Sequence, residues 1–261
     1  MINLSSLSIY PVKSCGQLSL NKATLSPFGL HMDRRWMLID DKGFMLTQRK
    51  YPRMCLINTQ LKGGNLTISA PGMGELAIDN TTNLVEATVW DDTCKAYDCG
   101  DDAARWLSDF LNTNARLVYF PDNEIRQVDL TYAQQGDITA FSDGFPYLLI
   151  SQASLDDLNN RLSTPVDMNR FRPNLVVTGN DAFAEDQWKR IRIGSIDFRI
   201  VKPCSRCVIP SIDPTTAEKS AEPVKTLASY RMENNKIFFG QNVIADGTGT
   251  IELGMPVEIL E

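Results

Sequence analysis

A chain of 261 residues that is 43% apolar and 22% charged can bury one large core or two modest ones without disulfide staples. Its net charge of −6 excludes an overall basic field for nucleic acid or anionic lipid, so an anionic ligand has to be met by a local group of cations. The single histidine, His31, excludes HExxH zinc hydrolases, histidine-rich iron sites and most Ser-His or Cys-His nucleophilic pairs.

The opening segment, Met1 to Tyr10, reads as a strand and lacks the basic start and apolar core of a signal peptide. No apolar run approaches the roughly 20 residues that span a bilayer, so a cytoplasmic protein with no membrane partner is expected. Short alternating segments follow at 5–10, 23–26, 35–40, 54–61, 66–69 and 85–89, divided by turn signals. Asp40-Asp41-Lys42-Gly43 and Lys62-Gly63-Gly64-Asn65 read as hairpin loops. His31 falls in another turn, Gly29 to Asp33, where a structural or solvated role is expected.

The first helix is predicted over 101–111, with Asp101 and Asp102 in its first turn and Ala103, Trp106, Leu107, Phe110 and Leu111 at helical spacing. A polar turn, Phe141-Ser142-Asp143-Gly144-Phe145-Pro146, precedes a strand at 147–151, and a second helix is predicted over 154–162 with Ser154 and Asp157 as a capping pair. Strand patterns return at 174–178, 191–193, 196–202, 236–240, 242–245 and 256–260, interrupted by a short helical stretch at 223–229. The expected fold class is therefore mainly β (α+β), with an N-terminal β-barrel-like part over 1–120 packed against a second β-barrel part over 121–261 that carries a few helices.

Six cysteines, Cys15, Cys55, Cys94, Cys99, Cys204 and Cys207, in a chain read as cytoplasmic are expected as free thiols. The pair in Lys202-Pro203-Cys204-Ser205-Arg206-Cys207 admits three readings: half of a zinc site, a redox dithiol, or one ligand cysteine beside a structural one. Zinc needs about two further ligands, and the other cysteines and His31 show no matching pair. A redox dithiol normally opens a helix, whereas Val208-Ile209-Pro210 reads as extended chain. Arg206 and Lys202 supply positive potential that favours a thiolate, a suitable ligand for a soft or high-valent metal.

A second group of residues places cations in turns: Lys13 with Ser14, Arg34 with Arg35, Arg49 and Arg53, and Arg170 with Arg172. Together such side chains can cradle a phosphate. In Arg172-Pro173-Asn174 the proline fixes chain direction between a guanidinium and an amide that can bond one ligand. Asp143, in its turn, reads either as a local cap or as a proton donor or cofactor contact.

In chain order, Tyr10-Pro11-Val12-Lys13-Ser14, Gly29 to Trp36, Phe141-Ser142-Asp143, Arg170-Phe171-Arg172-Pro173-Asn174, Cys204-Ser205-Arg206-Cys207 and Phe239-Gly240-Gln241-Asn242 resemble the MOSC family with its N-terminal β-barrel domain. That group includes the mitochondrial amidoxime-reducing components and bacterial YcbX-type proteins. The resemblance implies an N-terminal MOSC β-barrel domain over 1–120 and a MOSC domain binding molybdenum-molybdopterin over 121–261. It implies Cys207 as the metal ligand, with Cys204 a bystander. Lys13, Ser14, Arg34, Arg172, Asn174, Ser205 and Arg206 would contact the pterin and its phosphate, and Asp143 would lie near the metal as a proton path.

The implied activity is reduction of small N-hydroxylated substrates, namely amidoximes, hydroxylamines and N-hydroxylated bases. The chain shows no CxxxxCxxC motif, so no iron–sulfur cluster is expected in it, and electrons are expected from a separate ferredoxin-, flavoprotein- or cytochrome-type protein. Two alternatives stay open: a non-catalytic cofactor carrier, and a sulfur carrier with a persulfide on Cys204 or Cys207. Residues 209–214, Ile-Pro-Ser-Ile-Asp-Pro, depart from the paired threonines frequent in relatives.

Overall fold

The computed structural model describes residues 1–79 and 82–261. As expected, strands dominate, with three α-helices among the described residues. The largest sheet has nine strands, and its order interleaves the two ends of the chain. From one edge it runs Val257–Ile259, Arg190–Ile193, Ile196–Arg206, Lys236–Ala245, Tyr147–Ser151, Leu175–Thr178, Asn3–Ile9 and Leu18–Leu20, with Met232–Glu233 added beside Lys236–Ala245. Within it Tyr147–Ser151 and Leu175–Thr178 run parallel, joined through helix Gln152–Asn159, because parallel neighbours require a crossover. The first strand, Asn3–Ile9, is hydrogen-bonded to Leu175–Thr178, which brings the turn after Ile9 beside the loop that carries Arg172.

A four-stranded sheet orders Trp36–Ile39, Arg116–Tyr119, Asp92–Asp98 and Leu84–Val89. Helix Asp101–Leu111 packs against it through buried Ala103, Leu107, Phe110 and Leu111, and Asn112 closes the helix in left-handed conformation. Two three-stranded sheets complete the β-structure: Gly249–Glu252, Lys22–Ser26 and Gly29–Leu30; and Asn58–Lys62, Asn65–Ser69 and Leu76–Ala77. Leu4, Leu7, Ile9, Leu149, Leu175, Phe198 and Val243 share one core. Trp36, Leu38, Ile57, Leu66, Leu107, Phe110 and Leu117 form another. No helix among the described residues is long and apolar enough to cross a membrane.

Several elements differ from expectation. The segment 54–61 is a 3-10 turn, Pro52–Leu56, followed by strand Asn58–Lys62, because proline at the first position presets helical φ. The second helix starts earlier, capped by Ser151, whose side chain accepts from the Ser154 amide. Asp157 pairs with Arg161 rather than joining that cap. The chain after Cys207 is not extended but forms a 3-10 turn, Ile209–Ser211.

The strand predicted to end at Lys202 runs on to Arg206, with register shifts at Ile200/Lys202 and Pro203/Ser205. Opposite the second shift, Gly240 sits at φ +81°, where a Cβ would lie 2.6 Å from Ile150 Cγ1 and 2.9 Å from the Leu149 carbonyl oxygen. Only glycine lets the two backbones close there. These bulges bend the strand and re-aim its last residues, which are the ones that carry the cysteine pair.

Candidate functional site

One cleft gathers residues from five segments distant in sequence: Lys13 and Ser14, Arg34, Asp143, Arg172 and Asn174, and Cys204 to Cys207. Every site residue expected from the sequence lines it. Five cations (Lys13, Arg34, Arg49, Arg172 and Arg206) face one acidic lining residue, Asp143, a local positive field inside an acidic protein.

Backbone geometry sets the cations in place. Ser14, Arg34 and Arg172 all adopt left-handed φ, at 68°, 47° and 57°, a conformation that non-glycine residues keep only where surrounding structure enforces it. The Lys13 amide bonds the Trp36 carbonyl at 2.8 Å, the Arg34 amide bonds that of Tyr10 at 3.0 Å, and the Arg172 amide bonds that of Asn169 at 3.2 Å. Tyr10, fully buried, lies between two guanidiniums, with Arg34 Cζ 4.3 Å and Arg172 Cζ 4.1 Å from its ring centroid. Buried Asp33 accepts from Arg34 and from the Tyr10 amide. Asn174 is wholly buried; its Oδ1 accepts from Arg34 Nη1 at 3.0 Å and the Leu148 amide at 3.2 Å, and its Nδ2 donates to the Ser8 carbonyl at 3.1 Å. It lines the cleft while holding Arg34.

Two guanidinium nitrogens in the cleft walls, Arg172 Nη2 and Arg206 Nε, are buried without a hydrogen-bond partner. Arg172 Nη1 donates to the Cys15 carbonyl at 2.7 Å. Burial, with Arg34 nearby, lowers the Arg172 pKa. Buried N–H groups of this kind cost stability unless a ligand accepts from them, so the walls fit a multiply charged anion such as a phosphate.

The two cysteines of the pair have different neighbours. Cys207 Sγ accepts from Arg49 Nη2 at 3.3 Å, and the same nitrogen lies 3.7 Å from Asp143 Oδ2. Cys204 Sγ accepts from Arg206 Nη1 at 3.1 Å, while Arg206 Nη2 is anchored on the Phe171 carbonyl at 2.8 Å. Lys202, expected to serve the thiolate, instead lies over Tyr132, 4.0 Å from the ring centroid; regular alternation would put it on the face of Cys204, but register shifts on both sides of Lys202-Pro203 interrupt that alternation. Burial pushes Cys15 and Cys99 up to about 12 and Cys94 up to about 11, so these thiols stay protonated. Among the described residues no three His, Cys, Asp or Glu side chains gather around a possible metal ion. The cleft presents two cysteine sulfurs, Cys204 and Cys207, with no carboxylate or imidazole grouped beside them to complete a protein-only metal site among the described residues.

Asp143 is 60% exposed at the cleft edge and pairs with Lys13, which is 5% exposed. Desolvation alone would raise its pKa, but Lys13, Arg49 and the Trp90 indole together hold the carboxyl well below the usual range. Lys13 moves the other way. Desolvation outweighs Asp143 and brings its pKa down to about 8. Phosphate affinity of the cofactor-free protein should therefore be greatest below that pH, where Nζ is charged, and fall as pH rises through about 8. Lys13→Arg should remove that limb; a titration by calorimetry that shows the same limb in both proteins contradicts the assignment.

Arg126 carries no local signal of its role in the sequence. Buried at 6% exposure, it donates from Nη1 to the Ala140 and Ser142 carbonyls at 2.9 and 2.6 Å and pairs through Nε with Asp92 at 2.7 Å. It thereby clamps the turn that presents Asp143. Arg126→Met leaves two buried carbonyls unpaired and should cost about 2–4 kcal/mol, lowering Tm by roughly 5–15 °C. An unchanged melting curve would remove Arg126 from this role. The remaining turn cations serve elsewhere: Arg35 on the Phe120 carbonyl and Asp122, Arg53 over Phe110, and Arg170 on Asp213.

Comparison with known proteins adds to this geometry. The MOSC N-terminal beta barrel domain family matches residues 1–114 and the MOSC domain family residues 137–258. Mitochondrial amidoxime-reducing component 1 of Mus musculus is 37% identical over 279 residues, covering 98% of this chain and 82% of that protein. The Homo sapiens protein of that name is also 37% identical, over 280 residues with the same coverage. Mitochondrial amidoxime reducing component 2 of Bos taurus is 35% identical over 280 residues, covering 97% of this chain and 82% of its own length.

Proposed function

The chain belongs to the MOSC family of the mitochondrial amidoxime-reducing components, and from that membership we propose that it is a molybdenum-cofactor-dependent reductase of N-hydroxylated compounds. The cofactor, when bound, supplies two-electron removal of oxygen from nitrogen, which no side chain of this cleft can perform. The protein supplies binding, orientation and charge.

In this reading Cys207 gives the metal its protein sulfur. Arg172, Arg34, Lys13 and Ser14 hold the phosphate end of the pterin, with Ser205 and Arg206 beside it and Asn174 fixing Arg34. The observation that carries the assignment is the pair of buried, partnerless guanidinium nitrogens on Arg172 and Arg206, in a cleft where five cations meet one carboxylate. Asp143 stays ionised, so its part in proton movement is to accept and orient. Near neutral pH the proton sits on Lys13 Nζ.

Electrons come, in this proposal, from a separate ferredoxin-, flavoprotein- or cytochrome-type donor to a cytoplasmic protein that holds no iron–sulfur cluster of its own. The relatives compared above are named as mitochondrial. Expression in a cofactor-competent host, followed by molybdenum and pterin analysis and an amidoxime assay with a chemical reductant, tests the reading. Stoichiometric cofactor with turnover is expected. Cofactor that passes intact to an apo-enzyme, without turnover of any N-hydroxylated compound, would make the chain a carrier instead.

A further inference from the structure

Strands Leu84–Val89 and Asp92–Asp98 form a hairpin whose last pair is Val89 opposite Asp92, leaving Trp90 and Asp91 as its tip. Two-residue tips favour a positive φ at the first position, which is normally given to glycine or asparagine. Here that position holds a tryptophan at φ 55°, with 42% of its surface exposed. A bulky residue in this conformation is strained, and partial burial does little to offset the strain, so its contacts have to account for it.

Those contacts lead into the cleft. The Trp90 indole Nε1 donates to Asp143 Oδ1 at 3.3 Å. Arg49 lies over the ring at 4.6 Å from the centroid and reaches Cys207 Sγ at 3.3 Å. The indole is thus one residue removed from the proposed metal ligand and in direct contact with the cleft's acidic lining residue, while much of it remains open to solvent.

We propose that Trp90 is a specificity-determining residue that favours planar N-hydroxylated amidines and guanidines over small non-planar hydroxylamines. The proposal rests on the N-reductive reading above. An amidoxime, R–C(=NOH)NH2, takes up two electrons from the external donor and three protons; the N–O bond breaks, oxygen leaves as water, and the amidinium R–C(NH2)2+ remains. Positive charge absent from the substrate appears along this course, in a cleft whose one acidic lining residue, Asp143, is already paired with Lys13 and Arg49, so an aromatic face is the partner left for it. In the proposal the indole, which bears Arg49 over its ring and stands beside lining residues Asp143 and Arg49, offers its solvent-exposed surface to the plane that carries the charge, an aromatic–cation contact. An alkyl hydroxylamine also yields a cation but offers no plane, so comparing the two isolates the indole.

The test uses molybdenum-loaded protein with a chemical reductant and compares kcat/KM for benzamidoxime and N-methylhydroxylamine. Trp90→Gly suits the left-handed turn and should fold at least as stably as the wild type. It should reduce the benzamidoxime preference by about 5–30-fold at equal molybdenum content, and Trp90→Phe should keep most of that preference. An unchanged ratio in Trp90→Gly overturns the proposal. Benzamidine binding by calorimetry is independent of turnover: weaker binding by about 5-fold or more in Trp90→Gly supports it, whereas equal binding, or none by the wild type, overturns it. Failure of the wild type to reduce either substrate would refute the N-reductive reading while the benzamidine result still decides Trp90.

Discussion

Cys207→Ala protein from a cofactor-competent host should keep less than about a hundredth of wild-type amidoxime reduction, because loss of residues one shell out from a metal already costs about 10–100-fold and Cys207 is the proposed ligand itself. Cys204→Ala is the matched control. It deletes a sulfur whose contact is Arg206 Nη1, and Arg206 remains anchored on the Phe171 carbonyl, so activity within a few-fold of wild type is expected. The family resemblance implies which of the two thiols is the ligand, and the two have different surroundings. Cys207 receives Arg49 from the N-terminal half of the chain, beside Asp143, while Cys204 is tied to its own strand. Equal losses from the two variants, measured at matched protein folding, would count against the asymmetry.

The second large effect is expected at Arg172. Because this residue holds φ 57°, Arg172→Gly removes the guanidinium without straining the backbone, which makes it a cleaner test than alanine. The variant loses the Nη1 bond to the Cys15 carbonyl, the stack on Tyr10 and the partnerless Nη2. A charge-assisted hydrogen bond contributes about 1.5–3 kcal/mol, so cofactor retention should weaken by roughly 10–150-fold. The measurement is pterin content after prolonged gel filtration, together with phosphate binding by the cofactor-free protein. Full pterin content in the variant would remove Arg172 from the anion site.

The parts of this site that are legible in the sequence share one property: each carries a distinctive local motif, in a turn or loop for Lys13, Ser14, Arg34, Asp143 and Arg172, and at the bulged end of a strand for Cys204 to Arg206. Lys13-Ser14, Arg34, Asp143, Arg172 and Cys204 to Cys207 could be named because prolines, glycines and cations cluster around them, and the fold then brings them to one cleft. Arg126 could not be named, because its meaning lies in carbonyls 14 and 16 residues away and nothing local marks it. Tyr10 stood inside a recognised motif, yet its place between two guanidiniums depends on Arg172, brought alongside by the pairing of Asn3–Ile9 with Leu175–Thr178.

Lys202 shows the opposite error. Two residues from Cys204, it looked like a partner, but strand geometry and a bulge send its ammonium to Tyr132. The sequence pattern places the end of this strand at Lys202, and proline normally argues against a strand interior, whereas Pro203 sits at a register shift opposite the chain near Gly240. Strand Asp92–Asp98 leaves little trace in the sequence because its buried positions are Cys94, Ala96 and Asp98, too small and polar for an apolar alternation to register. Trp90 went unremarked with it, though a tryptophan at a hairpin tip is itself a signal once the two flanking strands are recognised.

The sulfur count around bound molybdenum tests the central claim most directly. X-ray absorption at the molybdenum edge, on wild-type protein and on the Cys204→Ala and Cys207→Ala variants, reads that count without requiring turnover. One metal–sulfur scatterer fewer in Cys207→Ala, with the Cys204→Ala spectrum unchanged from wild type, is the predicted result. Loss of a sulfur from the Cys204 variant instead, or the same count in all three proteins, would contradict the assignment of Cys207 as the thiolate that holds the metal.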